Sequence, residues 1–345
     1  FEHYQTGLRA RLDPTADNIQ TVFEIVRSNP KRIVFAEGEE DRTIRAAIAF
    51  RSAGLGEPIL VGREDSIKET AQQAGLTHLD GIRIENAAIS ETRDVYIDQL
   101  YARLQRRGHL QRDVARLVNQ NRNVFAACMV QNGDADAVVT GLTRPFGISH
   151  GEISLVFDSL PGHTVFGLSV LMSRGRTVFV SDSTVHERPN VDAMIDMAIQ
   201  SADRARRMGH EPRVAFLSFS NFGQPERGLN KDIRKVVSAM DERAAQGETF
   251  EFEYDGEMAA DVALDSELMD RLYPFNRLSG PANVLIMPGL HSANIGAKML
   301  EKLGGARLIG PLLMGMEKPV QIVQMGATVN DLVTAAAFAA QDALT

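Results

Sequence analysis

Chemically useful side chains in this sequence gather just after short apolar runs. Ser218, Ser220 and Asn221 follow the β-branched run Arg213 to Ser218, where hydroxyls and an amide can hydrogen-bond a ligand or cap the next helix. His186-Glu187 and His291 could ligate a metal, but no partner set stands at the spacing a site requires, so a helix-start or surface role is expected and no metal is assigned. The basic tract Arg103 to Arg107 ends a helical stretch; cations there either meet phosphates or answer the helix dipole, and the dipole is the favoured reading. Cys128 lies in the apolar stretch Val124 to Val130, with no second thiol to form a disulfide or a thiolate cluster, which fits a reducing cytoplasm. Met287, Met299, Met314 and Met316 sit among aliphatics and read as gap-filling core.

Composition narrows the classes. The sequence has 345 residues, 44% hydrophobic and 24% charged, enough to bury a large core and divide it between two lobes. A net charge of -8, with Arg and Lys scattered beside acids, disfavours nucleic acid as a partner. No stretch approaches the roughly 20 uninterrupted apolar residues of a membrane span. The start, Phe-Glu-His-Tyr, lacks both an initiator Met and a signal-peptide core, so a fragment of a longer chain is expected. There is no dinucleotide fingerprint after the first strand and no phosphate-loop Gly-Lys-Ser/Thr, which argues against hydride transfer or nucleotide hydrolysis within this chain.

The elements that must position these groups alternate. Residues 1–30, with Asp13-Pro14-Thr15 and Asn29-Pro30, suit a linker and a docking helix. Strands are predicted at Arg32 to Ala36, Pro58 to Gly62, Ala135 to Thr140, Thr177 to Ser181, Arg213 to Ser218 and Asn283 to Met287. Between them, Met194, Ile195, Ala198, Ala202 and Ala205 mark one buried helix face before Gly209, and Val95, Leu100, Tyr101 and Leu104 mark another before Gly108. Strands alternating with helices predict parallel sheets covered on both faces, with ligands collecting at the strands' carboxyl ends. Those ends are Ala36-Glu37-Gly38, Thr140-Gly141, Ser181-Asp182-Ser183, Ser218-Phe219-Ser220-Asn221 and Pro288-Gly289.

Several segments in this order resemble the phosphate acetyltransferase family from about Arg32 to the C-terminus. They are Ile33 to Gly38, Pro58 to Gly62, Gly133 to Gly141, Val214 to Ser220, and Ala293-Asn294-Ile295-Gly296 leading to Gly310-Pro311-Leu312 and Lys318-Pro319-Val320. The resemblance implies two three-layer α/β/α lobes of mostly parallel sheets with a cleft between them, a fold also like isocitrate and isopropylmalate dehydrogenases. Residues 31–162 and 316–345 would form the first lobe and 163–315 the second, inserted one. Phe35 to Arg42, Ser220 to Gly223, Tyr254 to Met258 and Pro274 to Leu278 are similar to the version fused behind the catalytic domain of NADP-dependent malic enzymes.

Acetyl transfer between CoA and phosphate needs a base for the thiol and cationic donors for phosphate and oxyanion. The family supplies these mainly with a Ser-Arg pair, an Asp a few residues later, and further arginines. Gln324 and Met325 stand at the Ser and Arg positions here, and Met325 has no charge or fork of donors to hold a phosphate dianion. A second family arginine falls on Gly151, with Arg144-Pro145 as a stand-in. Asp331 keeps the family's general-base position, though an acid at a helix start also serves the dipole. The resemblance thus implies an effector site for acetyl-CoA or CoA without turnover, because binding needs shape and a few donors while catalysis needs a transition-state cradle. Asn294, Lys298, Gly310, Pro311, Gly315, Lys318 and Pro319 are the implied contacts, with Gln324, Asp331, Arg144, Ser218 and Ser220 beside them; Lys298 equally suits a solvated helix lysine. NADP and a divalent metal would belong to a malic enzyme catalytic domain outside this sequence, and a homo-oligomer is expected. Two alternatives stay open: a working phosphate acetyltransferase with Arg144 as phosphate anchor, and a module that only joins subunits.

Overall fold

A computed structural model describes residues 14–76, 79–173, 175–224 and 230–344. The chain divides into two compact units with boundaries at Pro161/Gly162 and Gly315/Met316. The first unit takes Ile19–Pro161 and then Met316–Thr345; the second takes Gly162–Gly315, with the described residues 14–18 grouped with it.

The first unit is built on a wholly parallel five-stranded sheet. Its strands are β1 (Lys31–Phe35), β2 (Gly56–Val61), β3 (Arg83–Glu85), β4 (Ala137–Thr140) and β11 (Val320–Ile322), in the order β11-β4-β1-β2-β3. Helices α1 (Pro14–Ser28), α2 (Asp41–Ser52), α3 (Glu64–Gln73), α4 (Arg93–Leu104), α5 (Gln111–Gln120), α6 (Arg122–Gln131), α7 (Phe146–Ile153) and α13 (Val329–Asp342) accompany it. Parallel strands need helical crossovers, which bury the central strands on both faces, and this is why Ile33–Phe35 of β1 and Ala137–Val139 of β4 are apolar and buried. α13 is buried along Leu332 to Gln341 and packs on β1, β4, β11 and α2; its alanines allow the close approach. In α1, which starts at Pro14, Ile19, Val22 and Val26 form the buried stripe; the linker expected before it lies outside the described residues.

The second unit has a six-stranded mixed sheet of order β10-β5-β6-β9-β7-β8. Its strands are β5 (Phe166–Ser173), β6 (Arg176–Ser181), β7 (Arg213–Leu217), β8 (Glu253–Met258), β9 (Val284–Ile286) and β10 (Arg307–Met314). The β6, β9, β7 and β8 neighbours are parallel, whereas β5 runs antiparallel to both β6 and β10. Helices α8 (Val191–Arg207), α9 (Asn230–Ala245), α10 (Ala260–Leu264), α11 (Ser266–Leu272) and α12 (Leu290–Gly304) complete it. The chain therefore has the α/β fold with mostly parallel sheets that the sequence predicts.

The predicted face of α8 is buried at all five positions. In α4 the phase differs: Val95 is half exposed, and Tyr96 and Ile97 turn inward with Leu100 and Leu104. Tyr96 packs edge-on against Phe125 and donates to the Asp134 carboxylate at 2.5 Å, so a polar-tipped ring takes the core position that an aliphatic count gives to Val95.

Candidate functional site

In the first unit the carboxyl ends of β1, β4 and β11 lie side by side, and the polar groups after them are joined. Glu37, buried after β1, accepts from the backbone N–H groups of Gly141 (2.9 Å), Leu142 (2.7 Å) and Thr143 (2.7 Å) and from the Thr143 hydroxyl (2.5 Å). Next along that loop, Arg144 donates to Glu152 on α7. The other Glu152 oxygen accepts from Asn123 at 2.7 Å, and the Asn123 carbonyl accepts from the Thr140 hydroxyl at 2.5 Å, with Asn123 and Thr140 both buried. After β11, Arg42 of α2 holds the carbonyls of Met325 (3.2 Å) and Ala327 (2.6 Å), leaving the Gln324 and Met325 side chains exposed. Asp331 is engaged locally: Thr328 and Asp331 form a reciprocal capping box at the start of α13, the carboxylate accepting from the Thr328 N–H and hydroxyl at 2.8 Å each.

In the second unit the matching edge collects the ends of β6, β9, β7 and β8. Asp182, fully buried after β6, accepts from the N–H groups of Gly167, Thr184, Val185 and His186 and faces His186 Nδ1 at 3.0 Å. Burial pushes its carboxyl up, but His186 and those N–H donors outweigh burial and hold it below the usual range. After β7, Ser218 and Ser220 are 3.2 Å apart, and Ser220 donates to the buried Glu257 carboxylate, which also faces Arg234 of α9 at 3.6 Å. Asn294, on α12, donates to the Ser183 carbonyl at 3.0 Å, and Lys298 one turn later is exposed.

The other sequence-nominated residues lie elsewhere. Gly310 and Pro311 occupy the bulge of β10, where a residue without an N–H fits the broken ladder; β10 is the edge strand, four places from the β7 that carries Ser218 and Ser220. Gly315 ends the second unit at φ +79°, its Cα packed so close to the Thr164 carbonyl that a Cβ would lie 2.2 Å from it. Lys318 and Pro319 are half-buried just before β11, and neither Lys298 nor Lys318 forms an ion pair with a described residue. Arg103, in the last turn of α4 as the dipole reading expects, also clamps the Leu155 carbonyl (2.9 Å) and both Asp158 oxygens (2.8 and 2.7 Å), a tertiary tether that the sequence does not show. Thus Arg144, Gln324, Met325 and Asp331 share one strand edge, and Ser218, Ser220, Asn294 and Lys298 share another.

Sequence reasoning missed Arg42, Asn123 and Glu152, whose roles depend on contacts far along the chain. Glu37 and Asp182 are visible in sequence only as parts of strand-end turns and Glu257 only within the Tyr254 to Met258 likeness, although a buried carboxylate at a strand end persists only if several donors meet it.

Residues 17–340 match the profile of the phosphate acetyl/butaryl transferase family. The NADP-dependent malic enzyme of Rhizobium meliloti (strain 1021) is 50% identical over 99% of this chain and 44% of its own length. The chain thus spans less than half the length of the malic enzyme relatives it matches. The phosphate acetyltransferase of Staphylococcus epidermidis is 28% identical over 95% of this chain and 99% of its own. The solved EutD phosphotransacetylase from Staphylococcus aureus superposes with a TM-score of 0.86 at 26% identity, covering 95% of this chain and 98% of that one.

Proposed function

From a chain that belongs to the phosphate acetyl/butaryl transferase family, with close relatives among NADP-dependent malic enzymes, we propose a regulatory unit that binds acetyl-CoA or CoA and has no acetyltransferase turnover. The observation that carries this reading is the loop after β11. It is well held by Arg42, yet at the positions of the family's Ser-Arg pair it offers Gln324 and Met325, which supply no cation for phosphate. Loss of one preorganised donor costs roughly 100- to 1,000-fold in rate. Asp331, the remaining member, is spent on the α13 cap. Within the first unit, Lys318 keeps its ammonium group available for the phosphates of a CoA.

In this reading the chain is one part of a malic enzyme whose catalytic domain, NADP and divalent metal lie elsewhere in the same polypeptide. Acetyl-CoA then favours a less active state of the malate-to-pyruvate reaction, and the coupling is reciprocal. A second reading, a module that joins copies of the chain, is favoured by the exposed apolar stripe Ile295, Met299, Leu300 and Leu303 on α12.

Calorimetry of acetyl-CoA and CoA with this chain tests the proposal, beside an acetyl phosphate arsenolysis assay. Expected are saturable binding, a several-fold loss in Lys318→Glu, and no turnover. Turnover would sink the regulatory reading in favour of an active acetyltransferase; absence of binding at millimolar ligand would leave the assembly reading in first place.

A further inference from the structure

The strand edge of the first unit is lined with groups that ordinarily receive anions, and each is already engaged within the chain. Three successive N–H groups, those of Gly141, Leu142 and Thr143, converge with the Thr143 hydroxyl, but on the carboxylate of Glu37. The Arg42 guanidinium is given to carbonyls of the Met325 loop. Arg63, after β2, pairs with Glu39 at 3.2 Å. Arg144, the one guanidinium on the β4–α7 loop itself, is given to Glu152.

The Arg144–Glu152 pair differs from a surface ion pair in how its acid is held. The Glu152 side chain is 16% exposed and that of Arg144 32%. The second Glu152 oxygen takes the Nδ2 proton of buried Asn123, whose own carbonyl is taken by buried Thr140. Swinging Glu152 aside would strand the Asn123 amide without an acceptor, so the carboxylate is fixed where it is. A phosphate approaching Arg144 would have to share the guanidinium with a carboxylate that cannot leave, placing like charges together in a partly desolvated site.

We propose that Glu152 is an internal stand-in for an oxyanion, a specificity-determining carboxylate that closes Arg144 to free phosphate. Arg144 is then unavailable as a substitute phosphate anchor, and the carboxylate acts against phosphate chemistry independently of Met325. The inference rests on reading this strand edge as ligand-facing but not on acetyl-CoA being the ligand, so the two readings fail separately.

The test is calorimetric titration of this chain with inorganic phosphate at constant ionic strength. In the unsubstituted protein no Arg144-dependent binding is expected. Glu152→Gln keeps the shape and an acceptor for Asn123 while removing the charge, and should bind phosphate at least ~10-fold more tightly, as expected for a charge-assisted guanidinium contact released from its partner. Adding Arg144→Gln to that variant should abolish the gain. Glu152→Ala removes the carboxylate without relying on the Asn123 contact and should show the same gain if the glutamine disturbs folding. Phosphate binding by the unsubstituted chain that Arg144→Gln removes would overturn the proposal. So would folded Glu152 variants, judged by an unaltered far-ultraviolet spectrum, that gain no phosphate affinity.

Discussion

At the scale of single residues, the buried acids show how this chain uses charge. Asp182 has no solvent and is kept ionised by backbone N–H groups and His186. His186 and the backbone donors hold its carboxyl below the ordinary carboxylate range, so it adds stability at pH above that range and loses it as pH falls through the native pKa. Asp182→Asn has one acceptor oxygen fewer for the same donors, and its thermal midpoint is expected well below that of the parent at neutral pH. The gap should narrow as pH falls below the ordinary carboxylate range, because the unfolded parent then takes up a proton that its native state does not; a gap that stays constant across that fall would show that the carboxylate's charge is not what matters. His186 reads in sequence as a helix-start or surface histidine, and its buried partner Asp182 is not visible there. Glu37 and Glu152 were equally opaque, since their donors lie about a hundred and about thirty positions away. Of the two roles the sequence allows Asp331, the capping box gives the helix-start role a geometry.

At the scale of elements, the strands visible in sequence were those buried on both faces, because their apolar runs have no competitor. All six predicted strands are present to within two residues at each end. Those not predicted fail that pattern for identifiable reasons. β8 reads Glu-Tyr-Asp-Gly-Glu-Met, and its acids at 255 and 257 face inward only because Arg277 N–H and Ser220 meet them. β3 (Arg-Ile-Glu) and β11 (Val-Gln-Ile) are three residues long and carry polar side chains, whereas the equally short β9 is wholly apolar. β5 and β10 carry the antiparallel pairings, which alternation with helices does not predict. The β4–β11 junction is the element most exposed to a single change. Gly141 leaves β4 at φ +119°, and a Cβ there would lie 2.1 Å from the Val323 carbonyl, beside the 2.7 Å bond from Val323 N–H to Thr140. Gly141→Ala must strain its own backbone and push β11 away from β4. A loss of more than ~1 kcal/mol in a denaturant titration is expected, against the gain that Gly→Ala brings where φ is negative.

For the whole molecule, the decisive feature is that the second unit's sheet comes from one continuous segment and the first unit's sheet does not. The second unit draws all six strands and its hydrophobic core from Gly162–Gly315. The first unit is incomplete until Met316 returns: β11 then pairs with β4, and α13 covers β1 and β4. The two crossings are pinned where they meet, by the Ser159–Met316 bridge, by Glu317 N–H donating to the Asp158 carbonyl, and by Arg103, which also holds the Asp158 carboxyl below its usual range. A chain ending at Gly315 would leave the β4 edge unpaired and expose the apolar faces that α13 buries, whereas nothing in the second unit's sheet would be missing. The expected outcome is asymmetric. The excised segment Gly162–Gly315 should melt cooperatively with the circular dichroism of a mixed α/β domain, and the chain truncated after Gly315 should keep that transition while losing cooperativity in the remainder. Hydrogen exchange can assign which half is lost: rapid exchange in β1, β4 and α6, with β6, β7 and β9 still protected, is the pattern the connectivity requires. Loss of protection in both halves together would mean that the second unit's stability depends on the first, and that the continuous segment is not a folding unit in its own right.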